Sequence, residues 1–194
     1  MRWIDYLIMV LIDLPIIATV VLGGFLMKKG SHAMGKPTIA PLFFYTAKFL
    51  LFIVWALFAF VATFPQYRSL IPCQVQDTVP KIQKIVSAIL LIPANLIIIP
   101  AYLVMGEFTH VGLPEGKHQL KTSGIYSYSR NPMYSSFLFL NVATFLYLPS
   151  LALLFVMIYG SVVHHFIVLG EEKYLSREFG DEYRKYQSTV RRYI

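Results

Sequence analysis

The sequence predicts an all-α integral membrane protein with about five transmembrane helices and a cytoplasmic amphipathic helix at its C-terminus. Of its 194 residues, 57% are hydrophobic and only 14% are charged. The apolar residues gather in runs close to the roughly 20 residues that cross a bilayer core. Helices are expected for these runs, because open strands would leave backbone groups unpaired in lipid. No repeat or flexible linker divides the chain, so residues 1–194 are predicted to form one membrane-embedded domain.

Five apolar runs define the predicted spans in chain order. The first is too long for the core of a signal peptide and lacks a clean small-residue cleavage site, so it is expected to remain as a transmembrane helix. Only a Pro-Ser dipeptide separates the last two runs, which predicts a tight antiparallel hairpin. The predicted spans cover residues 4–27, 42–64, 82–105, 133–148 and 151–169.

The chain beyond Gly170 is predicted to be helical but too polar to cross the membrane. Apolar side chains recur there every three or four positions, while charged side chains occupy the other faces of the helix. Such a helix is expected to lie along the membrane interface. Two roles stay open, a surface anchor and a lid over a neighbouring pocket, and neither excludes the other. The apolar set is Leu175, Phe179, Tyr183, Tyr186 and Val190.

The distribution of basic residues predicts which end of the bundle faces the cytoplasm. With five spans, one end carries most of the lysines and arginines, including those of the C-terminal tail, and the positive-inside rule places it in the cytoplasm. Orientation and anionic headgroups account for the formal net charge of +7, so no nucleic-acid binding is expected. A lone Cys73 predicts neither an internal disulfide nor a cysteine-based metal site. The opposite end carries Arg2, Arg68, Lys81 and Lys84.

Polar and aromatic residues crowd the segment 118–134, between two apolar runs. His118 supplies a ring donor or acceptor, three tyrosines supply amphipathic rings, and Arg130 supplies a rigid cationic fork. These groups suit an aromatic, anionic ligand, but Tyr and Arg are equally typical of an interfacial belt, and residue types alone leave both interpretations open. Asn131 and Pro132 predict the start of the fourth helix, whose free amides would point toward the site.

A second polar block follows the fifth span and begins with Glu171 and Glu172. The hairpin of the last two spans would bring this block to the same membrane face as the first, which predicts one composite pocket from about residues 106–134 and 164–194. Adjacent carboxylates project in different directions on a helix, so at most one is expected to face the pocket and the other to be solvated. A carboxylate in the pocket can pair with a ligand ammonium or sulfonium.

Four of the polar residues inside the predicted spans bear on function or packing. Asn95 is expected to form an interhelical hydrogen bond or to support a kink. For Asp13, a functional role and a structural role of this kind both stay open. His164 and His165 lack an acidic or cysteine partner in the sequence, so they are expected to pack as polar groups and no metal site is predicted.

At these residues the chain resembles the isoprenylcysteine carboxyl methyltransferase family of membrane-embedded enzymes. One family signature is His-x-Leu-x-Thr-x-Gly-x-Tyr followed by Arg-[His or Asn]-Pro-x-Tyr. It is met by His118, Leu120, Thr122, Gly124, Tyr126, Arg130, Asn131, Pro132 and Tyr134. The second, Glu-Glu-x-x-Leu then Phe-Gly-x-x-Tyr-x-x-Tyr, is met by Glu171, Glu172, Leu175, Phe179, Gly180, Tyr183 and Tyr186. The resemblance covers roughly the C-terminal half of the chain.

The resemblance implies methyl transfer from S-adenosylmethionine to the carboxylate of a C-terminal prenylated cysteine, or to a related amphipathic lipid that enters from the bilayer. It further implies a compact prokaryotic-type enzyme. Arg130 is expected to hold the acceptor carboxylate as the catalytic residue, because Ile167 stands where eukaryotic members carry another arginine. A carboxylate is already ionised at neutral pH, so no general base is needed. Carried over by position, the cofactor pocket is lined by His118, Gln119, Leu120, Lys121, Tyr126, Asn131, Pro132, Met133, Tyr134 and Glu171.

Two other functions stay open at this point. A membrane reductase of the sterol type resembles the same family in its C-terminal half but takes a hydride from NADPH. A non-catalytic membrane subunit would fit the apolar bundle but would leave the polar blocks without a role. The expected location is the cell membrane of a prokaryote or the endoplasmic reticulum of a eukaryote, with the site facing the cytoplasm.

Overall fold

The computed structural model describes residues 3–28, 36–105, 113 and 119–194. Two short 3-10 helices, Pro65–Leu70 and Gly124–Ser127, lie in the connections, and the described residues form isolated bridges but no strand. The prediction of an all-α membrane protein is confirmed. The described α-helices are α1 (Trp3–Lys28), α2 (Pro41–Thr63), α3 (Lys81–Met105), α4 (Pro132–Tyr147) and α5 (Leu151–Thr189).

Four of these helices, α1, α2, α3 and α5, are long and apolar enough to cross a membrane. The fourth predicted span, α4, has only 16 residues. That is about 24 Å at the α-helical rise, which is shorter than a typical hydrocarbon core. It still joins both ends of the bundle, since Asn131 at its start contacts Glu172 and Pro149 after its end accepts a hydrogen bond from Val75. The predicted span is therefore present as a helix between the two ends, with the length that the sequence predicted.

Small residues and polar pairs hold neighbouring helices together. At Gly160 the backbone of α5 approaches α2 so closely that a Cβ atom would lie 2.5 Å from Leu51 Cγ. Between α3 and α4, the hydroxyl of Ser136 donates to the carbonyl of Ala94 at 2.9 Å. Contacts of this kind matter in a bilayer, because an apolar side chain gains little by leaving lipid for another apolar environment.

Asn95 compensates for the proline inside α1. Pro15 has no N–H group, so the carbonyl of Leu11, one turn earlier, has no intrahelical donor. The Asn95 side chain donates to that carbonyl at 2.8 Å and so links α3 to α1. The interhelical role predicted for Asn95 is confirmed. Asp13 lies half-buried on α1.

The last helix continues through Gly170 and bends only at Gly180. The many charged side chains after Gly170 place the end of its membrane-spanning part near that residue. Gly180 has φ 52° and ψ −120°, a conformation that residues with a Cβ atom adopt only at a steric cost. Beyond the bend, the backbone N–H groups of Arg130 and Asn131 donate to carbonyls of residues 191 and 192 at 2.9 and 3.2 Å. The C-terminal tail, residues 181–194, therefore folds back onto the start of α4.

Candidate functional site

The two polar blocks of the sequence meet in one cleft at the end of the bundle where α4 begins. Its empty volume, including the part open to solvent, is about 970 Å³, and most of its wall is apolar or aromatic. The loop before α4 and the first turn of α4 contribute Gln119, Leu120, Lys121, Tyr126, Arg130, Asn131, Pro132, Met133 and Tyr134. The remaining lining residues are Met105, Leu113, Glu171, Tyr174, Leu175, Tyr183 and Tyr186.

Every cofactor-binding position predicted from the sequence lines this cleft, apart from His118, which lies outside the described residues. The structure thus brings Glu171 on α5 next to residues from a segment some forty positions earlier. Cofactor binding by these residues stays a prediction. Met105 and Tyr174 also line the cleft but belong to neither signature, and only the tertiary structure reveals them.

Glu171 is the carboxylate that faces the cleft. Its Oε1 accepts a hydrogen bond from the hydroxyl of Tyr134 at 2.9 Å. Burial raises the pKa of the Glu171 carboxyl above its ordinary value, although the nearby positive charge of Lys48 acts in the opposite direction. A cationic ligand group in the cleft would favour the ionised form of this carboxylate.

Glu172 is buried, so the prediction that the second carboxylate is solvated is wrong. Only 5% of this residue is exposed. Arg130 donates from Nε and Nη2 to Oε1 at 3.1 and 2.9 Å, and Arg192 donates from Nε and Nη2 to Oε2 at 3.0 and 2.9 Å. Burial alone would raise the pKa of Glu172, but the hydrogen bonds from both arginines outweigh it and the pKa lies below its ordinary value. One carboxylate therefore ties α5 to the loop before α4 and to the tail.

Arg130 is surrounded by protein acceptors. In addition to its two bonds to Glu172, its Nη1 donates to the backbone carbonyls of Gln187, at 3.1 Å, and Val190. A guanidinium has five N–H groups, and these contacts engage most of them. The sequence predicted that this fork holds the carboxylate of an acceptor, whereas in the structure it holds Glu172 and the tail.

The C-terminal tail forms part of the wall of the cleft. Tyr183 and Tyr186 are 1% and 8% exposed, and the hydroxyl of Tyr186 donates to the backbone carbonyl of Tyr126. The hydroxyl of Tyr126 is itself buried and has no hydrogen-bond partner among the described residues, and burial raises its pKa. A buried hydroxyl without a partner at the edge of a cleft is suited to a polar ligand atom. The tail therefore does more than anchor the chain at a surface.

Comparison with known proteins identifies the family. Residues 82–182, slightly more than half of the chain, match the sequence profile for phospholipid methyltransferases. The chain belongs to the phospholipid methyltransferase family. It is also similar to an uncharacterised protein of Haemophilus influenzae, with 46% identity over 63 residues that make up 32% of this chain and 100% of the relative.

Membership of the phospholipid methyltransferase family supports the resemblance at a coarser level than the sequence signatures implied. The matched residues run from the start of α3 into the tail and include both polar blocks. The protein is accordingly a multi-pass membrane methyltransferase of the kind that acts on lipid-like substrates. The prenylated-cysteine acceptor is a narrower statement and is taken up below.

The two histidines of α5 have protein partners, as the sequence predicted. The Nδ1 atom of His164 lies 2.7 Å from the carbonyl of Gly160, and that of His165 lies 3.0 Å from the hydroxyl of Tyr193. Within the described ranges, no three His, Cys, Asp or Glu side chains come together in a metal-binding group. Ile167 is fully buried in an apolar cluster between α2 and α5.

Sequence reasoning missed Lys48, the sole charged residue of α2. It lies seven positions after Pro41, which is roughly 10 Å along the helix from its start. Its ammonium lies 5.8 Å from the ring centroid of Tyr134, whose hydroxyl contacts Glu171. The signal was available, because an ionisable residue inside a membrane span is expensive and usually has a function.

Proposed function

We propose that this protein is an S-adenosylmethionine-dependent methyltransferase whose acceptor is an amphipathic molecule dissolved in the membrane. The carboxylate of a C-terminal isoprenylcysteine is the acceptor that the two signatures favour. The main observation behind this proposal is that both signatures line one cleft, which lies within the region that matches the family. The site end of the bundle is proposed to face the cytoplasm, in agreement with the positive-inside rule.

The residues of the cleft fit S-adenosylmethionine. When bound, this cofactor supplies a methyl group on a positively charged sulfur. The lone pair of the acceptor forms a bond to the methyl carbon while the C–S bond breaks and its electron pair stays on sulfur. Glu171 offers a carboxylate to the cationic end of such a ligand, and Tyr126 offers a buried hydroxyl that has no partner in the described part of the chain. The apolar and aromatic wall excludes water from the positive charge.

The role left to the protein is to position the reactants and to exclude water. A carboxylate acceptor is ionised at neutral pH and needs no base. Glu172 and Arg130 hold the tail in place, and with it the aromatic wall formed by Tyr183 and Tyr186. A direct contact between Arg130 and the acceptor carboxylate stays a prediction, and it requires the guanidinium to release one of its present acceptors.

Calorimetric titration of the purified protein in detergent tests the cofactor. S-adenosylhomocysteine should bind with a saturable signal and raise the melting temperature, as any ligand of the native state does. NADPH should do neither. Saturable NADPH binding without a response to S-adenosylhomocysteine would indicate the reductase, and no response to either would favour a non-catalytic subunit.

The acceptor is tested separately by following label from the methyl group of S-adenosylmethionine. N-acetyl-S-farnesylcysteine and phosphatidylethanolamine should be supplied in parallel to the protein in vesicles. A base-labile methyl ester on the farnesylcysteine is the expected product. Label found only in the phospholipid would replace the prenylcysteine acceptor with a headgroup amine and leave the methyltransferase proposal intact.

A further inference from the structure

A second cavity lies inside the bundle, and two of its lining residues lie next to Tyr134, which lines the cleft. Its empty volume, with the part open to the exterior, is about 680 Å³, and all five α-helices contribute to its mainly apolar wall. Lys48 and His164 are among its lining residues. The ring of Tyr134 lies 5.4 Å from the ring of His164 and 5.8 Å from the Lys48 ammonium, while its hydroxyl reaches Glu171 in the cleft. The Tyr134 side chain thus lines the cleft and lies next to two residues that line the second cavity.

Among the described residues, no anionic side chain forms an ion pair with the ammonium of Lys48. The ammonium lies 4.8 Å from the ring centroid of Phe44 and 5.8 Å from that of Tyr134. The described lining of the second cavity contains no acidic residue. Glu171 interacts electrostatically with Lys48 but forms no ion pair with it. A cation at this depth is costly unless an anion pairs with it.

His164 does not replace that anion. A backbone carbonyl can only accept, so the 2.7 Å contact assigns a proton to Nδ1, which donates to Gly160. An imidazole ring is either neutral or cationic, so His164 adds no negative charge beside Lys48. The second cavity therefore combines one ammonium with apolar walls, which is complementary to a hydrocarbon chain that ends in an anionic group.

We propose that Lys48 binds the anionic group of the methyl acceptor and that the second cavity holds the acceptor's hydrocarbon chain. This proposal rests on the methyltransferase function proposed above and specifies its acceptor class. The anion is either the carboxylate that itself accepts the methyl group or a phosphodiester next to the methyl-accepting atom, and its position beside Tyr134 places the accepting atom toward the cleft. Lysine suits this task, because its flexible apolar stem can pack in the cavity while its charged end follows the ligand. Lys48 is in this role a determinant of specificity.

Equilibrium binding without cofactor tests the proposal independently of methyl transfer. N-acetyl-S-farnesylcysteine and its methyl ester differ in the charge of one carboxyl group. The wild-type protein should bind the acid roughly tenfold or more tightly than the ester, the range expected for a hydrogen bond to a charged group. Lys48→Met should abolish this preference and Lys48→Arg should retain most of it. The exposed Lys173→Met, which removes the same charge outside the cavity, should leave the preference unchanged.

The second source of the anion is tested with lysophosphatidylethanolamine and monooleoylglycerol, of which only the former carries a phosphodiester. If only the preference for N-acetyl-S-farnesylcysteine over its methyl ester depends on Lys48, the anion is a carboxylate. If only the preference for lysophosphatidylethanolamine over monooleoylglycerol depends on Lys48, the anion is a phosphodiester. The proposal is overturned if Lys48→Met keeps the wild-type preferences, or if the wild-type protein shows none. S-adenosylhomocysteine binding is measured on the same samples. Its absence, with the lipid preference intact, would reject the methyltransferase function and leave Lys48 as a lipid-anion site.

Discussion

Arg130 and Glu172, which are 42 residues apart in the chain, form an ion pair in which Nη2 and Oε1 are separated by 2.9 Å. Their side chains are 9% and 7% exposed, so solvent screens the pair little. Arg192 occupies the other carboxylate oxygen and brings the tail to the same point. Removal of one partner would leave an uncompensated buried charge. The position of the tail, which forms part of the wall of the cleft, therefore depends on the Glu172 carboxylate.

Glu172→Gln should destabilise the protein by about 3–5 kcal/mol, the range for breaking a buried ion pair by removal of one partner. The melting temperature in detergent should fall, and trypsin should cleave the tail at Arg191 and Arg192 more rapidly. The matched control is Asp181→Asn, which breaks an exposed pair with Arg184 and should leave both measurements unchanged. Equal behaviour of the two variants would show that the buried pair does not hold the tail.

Arg130→Ala should lower the affinity for S-adenosylhomocysteine and the melting temperature together, because the guanidinium holds Glu172 and two carbonyls of the tail. Arg130→Lys should restore only part of both, since a point charge cannot reproduce the fork. Titration calorimetry and thermal unfolding provide the measurements. If the alanine variant instead keeps its cofactor affinity and loses only acceptor turnover, Arg130 binds the acceptor, as the sequence predicted.

Glu171→Gln should weaken S-adenosylhomocysteine binding by about 1.5–3 kcal/mol, the range for a hydrogen bond to a charged group. Glu178→Gln makes the same chemical change at an exposed position of α5 and should not alter the affinity. The unliganded melting temperature of the Glu171 variant should not fall, because burial already disfavours the ionised carboxyl. An unchanged affinity in titration calorimetry would remove Glu171 from the cofactor site.

Gly180→Ala should destabilise the fold by about 1–3 kcal/mol, the range for a residue with a Cβ atom held in a sparsely populated backbone conformation. No atom lies within 4 Å of the added Cβ, so the cost comes from the backbone alone. Hydrogen exchange should show faster opening of residues 181–194. Gly23→Ala, which also has open space around its Cβ but no positive φ, should be neutral or stabilising. Similar results for both glycines would mean that the bend at Gly180 is not required.

Thiol labelling of intact cells should place Cys73 outside and the cleft inside. Cys73 is exposed, and its carbonyl accepts from Leu151 at the end of the bundle opposite to the cleft. In a Cys73→Ser background, Ser123→Cys and Ser188→Cys should react only after the membrane is permeabilised. Labelling of positions 73 and 123 from the same side would contradict the assignment of α4 as a helix that joins the two faces.

The sequence alone determined the membrane class, the helices and most of the lining of the cleft. Run length and apolar character are local properties, so the spans could be predicted within a few residues, and Pro132 marks the observed start of α4. The signatures located Tyr134 and Glu171 because the cleft draws on two compact segments of the chain. The interhelical role of Asn95 could also be predicted, since a lone amide in a bilayer needs a partner.

Only the tertiary structure decided which carboxylate is paired and where the lysine of α2 lies. Glu172 is buried because the chain bends at Gly180 and returns Arg192 to it, and such a long-range return leaves no periodic pattern in the sequence. Lys48 of α2 lies near Tyr134 of α4 because these two helices are neighbours in the bundle. Distance along the chain does not predict these contacts, because they depend on how whole helices pack.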